Sequence, residues 1–109
     1  MASERQGIIS LDRIRAAVRA VSATHPLARV EVFGSVVSGD GDARSDVDLL
    51  VEFLPDAHVG LLEMGALRED LEEILGRPVD VISRAAVEKS ANPYRRRSIL
   101  AAPVTVYVR

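Results

Sequence analysis

Residues 34–51 read GSVVSGDGDARSDVDLLV, so that a Gly-Ser pair is followed by ten residues and then by two aspartates in an apolar run. Alternate side chains of a β-strand point to opposite faces, which places Asp46 and Asp48 on the same face. Asp is disfavoured in strands, and two carboxylates roughly 7 Å apart repel each other unless solvent or a cation screens them. The pair therefore predicts a divalent cation site on a strand.

Oxygen ligands of this kind favour magnesium, which usually binds through one or two carboxylates together with the phosphates of a substrate. Upstream, the residues ARVEVFGS indicate a strand that ends in the turn Gly34-Ser35. At such a turn the backbone can approach a phosphate closely, and N–H groups and a hydroxyl can donate hydrogen bonds to it. Together, the two segments indicate a nucleoside triphosphate bound with magnesium.

A third carboxylate is expected if two metal ions are to activate an attacking hydroxyl as well as a leaving pyrophosphate. Asp80 is the candidate, because it lies in the short β-branched run RPVDVIS that follows a helical segment. We expect a strand there to lie beside the strand at 46–53 and to bring Asp80 alongside the aspartate pair. The metal ligands predicted are therefore Asp46, Asp48 and Asp80.

These residues match the G-S-x10-D-x-D…D pattern of the minimal nucleotidyltransferases, small members of the DNA polymerase beta superfamily, which the chain resembles over nearly its whole length. The DLLVEF run, the segment LEEILGRPVDVIS and the closing SILAAPVTVYV resemble that family in order and spacing. The resemblance implies an α/β (α+β) nucleotidyltransferase, or polymerase beta-like, fold with a small mixed β-sheet and helices packed on one face. It also implies one domain over residues 1–109.

In function, the resemblance implies a metal-dependent enzyme that transfers AMP from ATP to a hydroxyl, with two Mg²⁺ ions. Members of the family are often the antitoxins of HEPN/MNT toxin-antitoxin pairs, and some attach AMP to a tyrosine of the HEPN toxin, a type VII-like mechanism. By this resemblance Asp46, Asp48 and Asp80 are catalytic metal ligands, and Asp80 also orients or deprotonates the acceptor. Gly34 and Ser35 would hold the terminal phosphates, with Arg44 as an additional nucleotide-binding residue.

The chain departs from the family where Val36 and Val37 follow Ser35, since members commonly carry basic residues there. Their absence removes charge-assisted hydrogen bonds to the triphosphate. Two alternatives therefore stay open beside protein AMPylation. One is a non-catalytic antitoxin that neutralises a HEPN ribonuclease by binding, and the other is a transferase that acts on a small molecule such as an aminoglycoside.

Composition limits the classes of protein further. A chain of 109 residues, 48% apolar and 28% charged, is ordinary for a globular domain. Its net charge of −2 argues against a general nucleic-acid binder. The chain has no cysteine, and we find neither a signal peptide nor an apolar stretch of about 18 residues, so a cytoplasmic protein without membrane contact is expected. The histidines His25 and His58 are expected at the surface.

Periodicity predicts two main helices. The first follows the N-cap Ser10 with its apolar positions in a 3-4-3 spacing, and the second spans 61–75 and ends at Gly76. On the second helix, the predicted buried stripe is Met64, Leu67, Leu71 and Ile74. Shorter helices are expected from Ser35 and over 94–100, and Ser83 is expected to cap a short turn. Strands are expected at 28–33, 46–53, 79–82 and 104–108.

Overall fold

The computed structural model describes residues 9–38, 46–89 and 103–109. The predicted helix at 94–100 and the predicted nucleotide-binding residue Arg44 lie outside these described residues. In chain order the elements are α1 (Leu11–Val21), β1 (Leu27–Phe33), α2 (Ser35–Ser38), β2 (Val47–Phe53), α3 (Leu61–Leu75), β3 (Val79–Ser83), α4 (Arg84–Glu88) and β4 (Val104–Val108). All four predicted strands are present, with ends within one residue of the prediction.

The strands form one mixed sheet in the order β3-β2-β1-β4. β1 is antiparallel to both β2 and β4, whereas β2 and β3 are parallel. A parallel pair needs a crossover connection, which α3 provides between β2 and β3. The predicted adjacency of the third strand to the aspartate-bearing strand is thereby confirmed.

One face of the sheet packs against α1 and α3 around a single apolar core. In β2 the alternate residues Val47, Leu49 and Val51 are each at most 1% exposed and belong to this core. The alternation of buried side chains follows from the two-residue period of a strand. The two main helices therefore lie on one face, as predicted.

The first helix begins as its cap predicts. The Ser10 hydroxyl accepts a hydrogen bond from the Arg13 backbone N–H at 3.1 Å, which satisfies one of the free donors at the helix start. Ile14, Val18 and Val21 are buried against the sheet. The apolar spacing in the sequence therefore located both the start and the buried side of α1.

The buried stripe of α3 differs from the prediction at one position. The buried residues are Leu67, Leu71 and Leu75, and Met64 packs partly against the same core. Ile74, which the prediction placed in the stripe, is 47% exposed. With a rotation of about 100° per residue, Leu75 lies nearer than Ile74 to the centre of the stripe. Gly76 ends the helix in the left-handed conformation, with φ of 72°, as predicted.

The opposite face of the sheet carries a second, smaller apolar contact made by α4. Leu50 and Val87 are buried together there, with Phe33 and Ile82 packed against them. The Ser83 hydroxyl accepts a hydrogen bond from the Ala86 N–H at 3.3 Å and so caps α4, a short helix where the sequence predicted only a capped turn. The short helix α4 thus lies on the face that the two main helices leave open.

A buried ion pair holds α4 to the sheet. The Glu31 side chain in β1 is 5% exposed, and its carboxylate accepts hydrogen bonds from Arg84 and, at 3.2 Å, from Arg29. Burial of a carboxylate is tolerated when it is paired in this way. The charge on Glu31 is therefore balanced by the first residue of α4 and by its neighbour in β1.

The expectation that both histidines lie at the surface is wrong for His25. Its side chain is 11% exposed, and its Nε2 atom lies 2.8 Å from Asp70 Oδ2. The contact joins the turn before β1 to α3, a pairing across 45 positions that a local sequence pattern does not reveal. His58 is exposed, as expected. Among the described residues, no helix combines the length and apolar character needed to cross a bilayer.

Burial along α3 predicts that truncation of Leu71 and of Ile74 to alanine lowers the free energy of unfolding by different amounts. Leu71→Ala should lower the free energy of unfolding by about 2–5 kcal/mol, because it leaves a cavity in the core. Ile74→Ala is the matched control on the same helix and should cost less than about 1 kcal/mol, since Ile74 is half exposed. Denaturant unfolding measures both values, and equal losses would contradict the observed stripe.

Candidate active site

β2 presents two aspartates on the face opposite the main core. Asp46 immediately precedes β2 and is exposed, and Asp48, two residues later, is half-buried. Val47 and Leu49, which alternate with them, are fully buried on the helix side. The two-residue period therefore directs both carboxylates away from α1 and α3.

Asp80 joins the pair from the neighbouring strand. In the parallel ladder of β2 and β3, Asp48 lies directly opposite Asp80. Paired residues in adjacent strands project from the same face of a sheet, so the third carboxylate lies on the same side as the other two. The structure thus places the three predicted acids on one face of the sheet. They do not form a three-residue group that could hold a metal ion among the described residues.

The acids affect one another electrostatically. Burial is the main reason that the pKa of Asp48 is raised above its ordinary value of 3.8, and the negative charges of Asp80 and then Asp46 raise it further. Like charges close together disfavour ionisation of each member. A cation bound among these carboxylates would favour the ionised form, so the site is electrostatically suited to one.

Gly34 directly adjoins the half-buried acid. It follows the last residue of β1, Phe33, which pairs with Asp48 in the antiparallel ladder. Gly34 has φ of 82°, and a Cβ atom placed on it would lie 2.3 Å from Asp48 Oδ2. Only a glycine combines this left-handed backbone with such a close approach of the carboxylate. The glycine of the predicted Gly-Ser turn therefore contacts the predicted metal ligand.

The residues after Gly34 are anchored in the core. Ser35 is the first residue of α2, and the Val37 N–H donates to the Gly34 carbonyl at 3.1 Å. Val36 and Val37 pack against the main apolar cluster. These valines therefore hold the turn in place at positions where the family commonly has cations. The Ser35 side chain, like Arg44, lies outside what the structure describes.

The carboxylate donors of this site suit magnesium, whereas they do not form a site in which protein side chains alone surround a metal ion. Within residues 9–38, 46–89 and 103–109, no group of three or more His, Cys, Asp or Glu side chains is arranged to hold a metal ion by itself. Magnesium commonly takes one or two carboxylates and completes its coordination with water and substrate phosphates. The carboxylate oxygens of Asp46 and Asp48, which lie beside the turn at Gly34, match that requirement.

The sequence analysis missed an apolar cavity that borders Asp80. The cavity has a volume of about 260 Å³, and its lining includes Leu61, Met64 and Arg68 of α3. Leu61 and Leu62, at the start of α3, are 91% and 86% exposed. One signal was present in the sequence, because helical rotation places the apolar Leu61, which lines the cavity, outside the stripe of Leu67 and Leu71.

Comparison with known proteins places this site in a family. The sequence model of the Nucleotidyltransferase domain matches residues 14–103. A protein named "Putative protein adenylyltransferase MJ1379", from Methanocaldococcus jannaschii, is 37% identical over 70 residues, which cover 64% of this chain and 67% of the relative. Protein adenylyltransferase MntA from Thermococcus cleftensis is 39% identical over 59 residues, covering 54% of this chain and 58% of the relative.

Solved structures agree with the sequence relatives. A "putative minimal nucleotidyltransferase" is 33% identical, with a TM-score of 0.66 over 94% of this chain and 98% of that one. A toxin-antitoxin structure with AMP-PNP has a TM-score of 0.68 at 18% identity, over 93% of this chain and 75% of that one, and so shows the fold alone. The chain belongs to the nucleotidyltransferase domain family and is a minimal nucleotidyltransferase enzyme with the polymerase beta-like fold.

Proposed function

We propose that this nucleotidyltransferase transfers AMP from ATP, in the presence of Mg²⁺, to a tyrosine hydroxyl of a cognate HEPN toxin, and so acts as a cytoplasmic antitoxin. The observation that carries the proposal is the in-register pairing of Asp48 with Asp80, on the same face as Asp46 and against Gly34. The names of its relatives, which include protein adenylyltransferases and a toxin-antitoxin complex with AMP-PNP, support the choice of nucleotide and partner.

In this reaction the acceptor oxygen bonds to the α-phosphorus as the bond to the β-phosphate oxygen breaks, and pyrophosphate leaves. Asp46 and Asp48 would hold Mg²⁺, with Asp80 included in a two-ion site, and the ion would supply positive charge that neutralises the phosphates. Asp80 orients the acceptor hydroxyl and takes its proton. Positioning and charge neutralisation dominate phosphoryl chemistry, so few other protein groups are required.

The phosphates contact the turn between β1 and α2. The N–H groups near Gly34 and Ser35 donate to the terminal phosphates, as backbone groups at tight turns do in other phosphate sites. Arg44, two residues before Asp46, supplies a cation to the triphosphate in this proposal. The approach of Gly34 to Asp48 keeps the phosphate-binding turn beside the metal ligands.

A second function is favoured by one observation, the packing of Val36 and Val37 into the core. Without cations at these positions, the protein has fewer charged groups with which to bind a triphosphate. In this alternative the chain neutralises a HEPN ribonuclease by covering it, and no nucleotide is transferred. The two functions differ in whether neutralisation depends on Asp48.

Label transfer tests the proposal directly. The protein is incubated with α-labelled ATP, Mg²⁺ and the proposed partner, a cognate HEPN-domain protein, which should become labelled. Asp48→Asn should lower the rate by about 10²-fold or more, because several kcal/mol of charge stabilisation are lost. Asp56→Asn, at an exposed loop position, is the control and should transfer at the wild-type rate. Equal neutralisation by wild type and Asp48→Asn without label would select the binding antitoxin.

The two left-handed glycines provide a matched pair for a second prediction. Gly34→Ala and Gly76→Ala should each cost about 1–2 kcal/mol of stability, because both residues have positive φ. Only Gly34→Ala should also lose AMP transfer, since its Cβ would displace the Asp48 carboxylate, whereas Gly76 has nothing within 4 Å. Unfolding curves and initial rates measure the two effects. Full activity of folded Gly34→Ala would contradict the role of this contact.

The raised pKa of Asp48 gives a prediction for stability without divalent cations. Stability from the protonated carboxyl is fully present below 3.8, the ordinary pKa, and is lost as pH rises through the raised pKa of the folded state. Asp48→Asn, which cannot ionise, should therefore gain stability relative to wild type as pH rises over that range. Mg²⁺ with ATP should stabilise wild type more than the variant. Thermal unfolding measured against pH checks both, and a difference independent of pH would contradict the charge cluster.

A further inference from the structure

An apolar groove runs along the outer side of β3 and ends at Asp80. It consists of two cavities of about 490 Å³ and 260 Å³, both of which are lined by Leu61, Met64 and Val81. The larger cavity extends towards Phe53 and Ala86, and the smaller one includes Asp80. Because these three residues line both cavities, the two cavities form one feature, which we call the β3 groove.

One side of the groove is formed by β3, the edge strand of the sheet. β3 is the last strand in the order β3-β2-β1-β4, and no other strand among the described residues pairs with its outer side. At one end of this edge, the Val79 N–H donates to Glu72 Oε2 at 2.9 Å. Backbone groups alternate in direction along a strand, so those of Val81 and Ser83 face the same way as those of Val79. An extended peptide can pair with an edge of this kind.

The position of the phosphate-binding turn decides which reactant comes from this side. Gly34 and α2 follow β1, which lies across β2 from β3. The attacking and leaving oxygens lie roughly in line on opposite sides of the transferred phosphorus. If pyrophosphate leaves towards Gly34, the acceptor hydroxyl approaches from the β3 side, where the groove meets Asp80.

We infer that the β3 groove binds the polypeptide acceptor as an extended segment along β3, with its hydroxyl at Asp80 and a neighbouring apolar side chain in the larger cavity. This inference rests on the proposed transfer of AMP to a protein and specifies where that protein binds. The larger cavity is lined mainly by apolar residues and has room for an aromatic or branched aliphatic side chain. The highly exposed Leu61 borders both cavities and contacts the segment between the two positions.

Filling the larger cavity tests the inference. Ala85 and Ala86 are exposed neighbours on α4, but only Ala86 lines the groove, so Ala86→Trp and Ala85→Trp form a matched pair. Ala86→Trp should raise the KM for the HEPN-domain acceptor about tenfold, the usual effect of disturbing an important interface position, with kcat unchanged. Ala85→Trp should leave both constants at the wild-type values.

A second pair removes apolar surface without adding bulk. Leu61→Gln should also raise the acceptor KM, whereas Ile74→Gln, at the far end of α3, should not. The affinity for AMP-PNP with Mg²⁺ should be the same in all four variants. An unchanged acceptor KM in Ala86→Trp and Leu61→Gln would overturn the inference, as would weaker AMP-PNP binding, which would place the nucleoside in the groove. If wild type transfers no label to the partner, the proposed function fails, and the acceptor role of the groove fails with it.

Discussion

The alignment of β2 with β3 determines where the three acids lie. Like charges directly opposite each other destabilise a strand pair, yet Asp48 lies opposite Asp80 in the parallel ladder. The pairs on either side, Val47 with Val79 and Leu49 with Val81, lie on the opposite face and belong to or pack against the main core. Burial of these four apolar side chains offsets the repulsion. A slip of one residue would place the carboxylates in the core, so hydrophobic burial fixes the register and with it the site.

The register of β2, the strand that carries Asp48, is thus set by the apolar side chains on its opposite face. At the end of β1, Gly34 adopts a left-handed backbone conformation beside Asp48. Glycine adopts a positive φ without steric cost, so Gly34 allows the chain to turn close to the carboxylate. A partly buried carboxylate with a raised pKa, close to other acids, is typical of a functional site.

Much of this arrangement could be predicted because it depends on local patterns. Alternation in β2, the N-cap Ser10 and the stop at Gly76 are each encoded within a few residues, and all were found. The sequence led us to expect Asp80 beside Asp48 but did not specify the pairing, since the register between β2 and β3 depends on packing across the sheet. The contact of His25 with Asp70 depends on how α3 docks, which no local pattern reports. The exposure of Ile74 follows from the helical rotation, so the predicted stripe was wrong at a position that the sequence pattern could have placed. The β3 groove escaped notice because its lining residues come from β2, α3, β3, α4 and the loop before α3, which only the folded chain brings together.

The valines after Ser35 affect both the fold and the proposed chemistry. By packing against the core, the partly buried Val36 and Val37 hold α2 against β1 and β2, which positions the turn at Gly34 beside Asp48. A turn positioned in this way offers its N–H groups to a phosphate with less ordering cost. The same packing leaves no cation at these two positions, so in the proposed reaction neutralisation of the triphosphate would fall to the divalent cation and to Arg44. Transfer by this chain should therefore depend more steeply on the divalent cation than transfer by relatives with basic residues after the Gly-Ser pair.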